Sequence, residues 1–151
     1  MANELYVNYA SGNTLWAAIR NAAGQVWYPT GEVFEAWGAG SRDAADYDIA
    51  MTDKTGSRYV GDFDSDIPAG RYWVQFFLQA GGSPANGDTC VGGYEVRWSG
   101  TGQITSDKVL ANKAAQNKSS GAITYYDDDG STVLLTQTPA DAPTTITRTP
   151  S

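Results

Sequence analysis

Over the first hundred residues, apolar and polar positions alternate in short runs, the two-residue period of half-buried strands. Leu5, Val7 and Tyr9 alternate with Tyr6 and Asn8. Thr14 to Arg20 follows, with Leu15, Ala17 and Ile19 on one side and Trp16 and Ala18 on the other. Asn21-Ala22-Ala23-Gly24 is a tight connection to a partner strand, Gln25 to Tyr28, which Pro29 stops. Glu32 to Trp37 and a loop of small residues from Gly38 to Ala45 come next. In Tyr47-Asp48-Ile49-Ala50-Met51, residues Tyr47, Ile49 and Met51 would share one strand face.

The turn signal Asp53-Lys54-Thr55-Gly56 introduces a strand from Arg58 to Phe63, and Ile67-Pro68-Ala69-Gly70 turns the chain again. Arg71 to Ala80 carries an apolar run (Tyr72, Trp73, Val74, Phe76, Phe77, Leu78) that predicts a central strand buried on both faces. After a Gly/Pro loop, Thr89 to Trp98 alternates Tyr94, Val96 and Trp98 with Glu95 and Arg97. Short strands at this spacing with no helical pattern between them predict an antiparallel sandwich.

The pattern changes at Thr101-Gly102, so the chain divides into a β-sandwich domain over 1–102 and an appendage over 103–151. Ser106 is a helix N-cap candidate, and 107–117 is the one helix-like stretch. A hairpin follows, from Ala122-Ile123-Thr124-Tyr125-Tyr126 through Asp127-Asp128-Asp129-Gly130 to Ser131–Thr136. Residues 139–151, rich in Pro and Thr, read as an extended arm. A helix, a hairpin and an arm bury too little to stand alone and must dock on the sandwich or on another subunit, of which the second is favoured. Val109, Leu110, Ile123, Tyr125, Leu134 and Leu135 are therefore expected to meet another subunit.

Composition narrows the function. Five Trp, nine Tyr and four Phe, with seventeen Gly to supply turns, suit an all-β chain. A net charge of −7 disfavours nucleic acid and acidic membrane surfaces as partners. There is no signal-peptide pattern at the N-terminus and no apolar run long enough to span a membrane. A single cysteine, Cys90, rules out an intrachain disulfide and reads as a small buried hydrophobe.

With no histidine, the usual general base, the commonest metal ligand and every His-dependent triad are absent. No phosphate-binding glycine loop is present, so no cofactor is expected. Asp62, Asp64 and Asp66, at i, i+2, i+4 on a strand, would put three carboxylates on one face, a calcium candidate set; the alternative is an acidic strand end before Pro68. A hydrolase using paired carboxylates is the one catalytic class left formally open, and it is disfavoured. Trp37, beside the Gly38–Gly40 loop, is the candidate for an exposed sugar-stacking platform; the other tryptophans are expected in the core.

Two stretches carry a resemblance. Leu110-Ala111-Asn112-Lys113-Ala114-Ala115-Gln116-Asn117-Lys118, with Tyr125-Tyr126-Asp127-Asp128-Asp129-Gly130, Leu134-Leu135 and Thr147-Arg148-Thr149-Pro150, resembles the C-terminal segment of small virion proteins of tailed bacteriophages. Gly24-Gln25-Val26-Trp27, Tyr47-Asp48-Ile49-Ala50 and Pro68-Ala69-Gly70-Arg71-Tyr72 look similar in layout to the immunoglobulin-like sandwich of phage baseplate and tail-fibre adaptor proteins.

The resemblance implies a non-enzymatic structural subunit of a virion, made in a host cytoplasm. It would act through interfaces with copies of itself, as a homo-oligomer, and with other virion proteins in a tail, baseplate or neck. A capsid decoration (cement) protein is the alternative, and a carbohydrate-binding β-sandwich module is the alternative from another class.

Overall fold

The structure, a computed structural model, describes residues 3–105, 113–127, 130–142 and 145–150. The chain forms two compact units, Met1–Gln103 and Ile104–Ser151, built from antiparallel strands.

In the first unit the strands are β1 (Leu5–Asn8), β2 (Leu15–Asn21), β3 (Val26–Tyr28), β4 (Val33–Glu35), β5 (Ile49–Ala50), β6 (Thr52–Asp53), β7 (Arg58–Gly61), β8 (Gly70–Leu78) and β9 (Thr89–Trp98). One sheet runs β1-β7-β6; the other runs β4-β3-β2-β8-β9. β8 pairs with the whole of β2, so β3 and β5 share the other edge of β2, at Arg20 and at Trp16–Ala17 respectively. Between β5 and β6 the chain leaves the larger sheet for the smaller, crossing at Met51, whose N–H donates to the Leu15 carbonyl. This order departs from the ABED/CFG arrangement of immunoglobulin constant domains, because β2 lies between β3 and β8.

The two sheets share one core. Leu5 and Tyr59 from the smaller sheet meet Leu15, Ala17, Ile19, Trp27, Tyr72, Val74, Phe76, Val96 and Trp98 from the larger. Phe63 stacks on Trp98 at 4.2 Å between ring centroids, and Phe34 on Tyr72 at 5.3 Å. A second cluster (Trp16, Ala18, Val26, Ala44, Tyr47) lies on the opposite face of β2 and β3.

β2 is therefore buried on both faces, with Leu15 to Ile19 all buried. The expectation for β8 needs correction. It is central, and Tyr72, Val74 and Phe76 are buried, but Trp73 on its other face is 47% exposed. On that face Phe77 packs into the second cluster, which the segment carrying Trp37, Ala44 and Tyr47 covers, and its ring stacks on Trp16 at 4.2 Å.

That covering segment corrects a second expectation. Tyr47 does not extend a strand: Ala44–Tyr47 is a helical turn, α1. Asp43 caps it, its carboxylate accepting from the Ala45 N–H at 3.0 Å, while the Asp46 carboxylate accepts from the Asp43 N–H at 2.9 Å. Tyr47 is thereby turned onto the outer cluster, away from Met51 in the main core. Cys90 is likewise exposed, not buried. It lies opposite Phe77 beside a register shift in the β8–β9 ladder.

The second unit is a meander of four strands, β10 (Ala114–Gln116), β11 (Ile123–Tyr126), β12 (Val133–Ala142) and β13 (Thr145–Pro150), in that order across the sheet. The hairpin forms as β11 and β12, with a bulge after Tyr125. The helix expected over 107–117 is corrected where it is described: Ala114–Gln116 is a strand paired with β11. Residues 106–112 of that expectation, with the Ser106 cap, lie outside the described residues. The arm is extended, but it is not separate, because β12 continues to Ala142 and β13 returns along it from Thr145.

Candidate interaction surfaces

Strand pairing sorts the side chains of the second unit by face, since directly opposed residues point the same way. Tyr125 lies opposite Leu135 on one side and Ala114 on the other, and Ile123 is two residues along. Ile123, Tyr125 and Leu135 thus share a face, and all three are half-buried. Leu134, beside the bulge, is 6% exposed, while Val133 is 49% exposed. Among the side chains described in this unit (113–127 and 130–139), Leu134 is the one that is buried. The expected interface residues Val109 and Leu110 lie outside the described residues. Lys113 places its Nζ 4.7 Å from the Tyr126 ring centroid and donates to the Gly130 carbonyl at 3.2 Å, tying β10 to the hairpin turn.

A second surface is the outer face of β8 and β9. Cross-strand pairing puts Trp73 between Arg20 on β2 and Glu95 on β9, with Arg71 and Gln75 two residues away along β8. Arg20 donates from Nε to the Gln75 Oε1 at 2.8 Å, and Arg71 forms an exposed ion pair with Glu95 at 3.4 Å. Trp37, the expected platform, is half-buried. Its ring lies 4.9 Å from that of Tyr47, and the Arg20 guanidinium sits over it at 5.1 Å. The exposed tryptophan is Trp73, which the apolar run around it hides in the sequence.

The calcium candidates are not gathered. The same-face argument needs a strand through Asp66, but β7 ends at Gly61. Asp62 accepts the Asn3 N–H at 2.7 Å. Asp64 accepts the Trp27 indole N–H at 2.7 Å and the Asp66 N–H at 3.0 Å. Among the described residues no group of three or more His, Cys, Asp or Glu is arranged to hold a metal ion.

The remaining polar clusters anchor loops. The Asp53 carboxylate accepts from the Gly12 and Thr55 N–H groups, the Ser11 hydroxyl and the Tyr59 hydroxyl, and these bonds, Gly12 first, hold it below the ordinary Asp range. Asp88 accepts from Ala85, Trp16 Nε1 and Ala80, closing the loop before β9, and is held low by them. Glu35 takes a bidentate pair from Arg42 and the Tyr47 hydroxyl at 2.9 Å, and Arg42 holds its carboxyl low. The Arg42 guanidinium also lies 4.2 Å from the Tyr28 ring centroid, so this cluster fastens the covering segment to the sheet. Each of these three carboxylates is held by structural donors.

No protein-family model, no curated protein and no solved structure matches the chain. Among the described residues no helix is long and apolar enough to cross a membrane.

Proposed function

We propose that the chain is a non-enzymatic structural subunit whose second unit joins it to copies of itself. The observation that carries this reading is the four-stranded sheet of residues 114–150, in which one described side chain is buried. A sheet this thin needs a covered face to be stable. The face bearing Ile123, Tyr125 and Leu135 is apolar and half-buried, and a neighbouring subunit is the cover we assign to it.

The setting is the one the resemblance of 110–118 and 125–130 implies: the virion of a tailed bacteriophage, at a tail, baseplate or neck, with a capsid decoration role as the alternative. The immunoglobulin-like layout enters this reading only as a two-sheet sandwich, given the place of β2.

The test replaces two face residues together, Tyr125→Asp and Leu135→Asp, and measures mass in solution. The parent chain should be a homo-oligomer and the double variant a folded monomer. An unchanged mass would overturn the proposal.

A further inference from the structure

On the outer face of the larger sheet, Arg71 and Arg97 are direct cross-strand partners. Like charges in such a pair stand about 5 Å apart at Cβ and destabilise a sheet. Glu95 offsets one of them through an exposed contact to Arg71 at 3.4 Å, and Arg97 is exposed with no ion pair among the described residues. With Arg20, the face holds three guanidinium groups against one carboxylate, in a chain whose net charge is −7.

Trp73, two residues from Arg71 and so about 7 Å along the strand, is the exposed aromatic at the centre. Its Nε1 lies 3.5 Å from where a Cβ on Gly93 would stand, so the indole reaches across β9 at a residue with no side chain. Gly93 is required there for another reason: that Cβ would be 2.7 Å from the Val74 carbonyl oxygen. Gln75 spends its Oε1 on Arg20, and among the described residues its amide nitrogen donates to no hydrogen bond. An aromatic plane ringed by planar donors, with a paired-arginine anion clamp at one end, is what an acidic pyranose requires. The sugar ring stacks on the indole, its carboxylate takes the guanidinium groups in charge-assisted bonds, and its hydroxyls reach Gln75 and Glu95.

The geometry points to a binding site for an acidic saccharide, a uronate or sialate sugar, on Trp73, Arg71, Arg97 and Gln75. Such a ligand would relieve the repulsion between the two arginines, which gives their juxtaposition a purpose that stability does not.

Calorimetric titration of the full chain with trigalacturonate, a hyaluronate tetrasaccharide, sialyllactose and the neutral galactose trimer tests this. At least one acidic sugar should bind and the neutral trimer should not, with affinity falling at least tenfold in both Trp73→Ala and Arg97→Ala. Because Arg97→Ala removes a like-charge neighbour, its melting temperature should hold or rise while binding is lost, a combination a structural role would not give. Silence toward all three acidic sugars, equal binding of the neutral trimer, full binding by Trp73→Ala, or equal binding of an oligoglutamate peptide would each overturn the proposal.

Discussion

Three of the tryptophans are nearly fully buried, and each indole N–H has an acceptor. Trp16 donates to Asp88 at 2.9 Å, Trp27 to Asp64 at 2.7 Å and Trp98 to the Ile67 carbonyl at 3.1 Å. A buried donor left unpaired costs about 1–3 kcal/mol, so Asp64→Ala should lower stability by that order, read from a urea midpoint. Asp64 looks from the sequence like a metal ligand among carboxylates. Its tryptophan partner is 37 residues away, and no local spacing reveals it.

The same scale sets the acid response. Asp53, Asp88 and Glu35 have folded pKa values below their unfolded ones, so the unfolded chain takes up protons first as pH falls. Their stabilisation is complete above the unfolded values, 3.8 for Asp and 4.5 for Glu, and is lost as pH drops through the folded ones. Asp48, pushed up by burial, works in the opposite direction. The urea midpoint should hold from neutral pH to about 5 and fall below about 4. In Asp53→Asn it should start lower at neutral pH and decline less steeply.

At the scale of elements, alternation made most of the strands legible. β1, β2, β3, β7, β8 and β9 lie within or nearly within the runs that periodicity marks, as do β11 and the start of β12. The errors share a cause, which is that periodicity reports what a side chain prefers and not what covers it. The run in β8 looks two-sided, yet Trp73 within it is 47% exposed, while β2 is buried on both faces with two alanines in its run. Trp16→Ala should cost about 3–5 kcal/mol in a denaturant titration, because its ring fills the outer cluster against Phe77.

α1 had a readable sign, the capping box Asp43-Ala44-Ala45-Asp46, hidden within a loop of small residues. At Ala114–Gln116 the opposite happens: helix propensity yields to pairing with β11. The arm was legible as extended chain. Its return as β13 was not, because strand partners that Ala142 and Thr145 bring together carry no periodic mark.

At the scale of the whole molecule, the two units differ in how they are held. The first has a shared core rich in stacked aromatics and loops fastened by saturated carboxylates. The second is a single sheet with an apolar face across Ile123, Tyr125 and Leu135. The two units divide between Gln103 and Ile104, close to the change of sequence pattern at Thr101-Gly102, whereas the sequence pattern carries no comparable mark of the surfaces. Ile123, Tyr125 and Leu135 do share a face. Trp37 does not form the platform expected of it, since Tyr47 and Arg20 cover it.

Sedimentation equilibrium of the full chain beside a chain ending at residue 104 bears most directly on a role for the second unit in assembly. The account predicts a homo-oligomer for the full chain and a folded monomer for the shortened one. Two monomers, or the same oligomer in both, would contradict it.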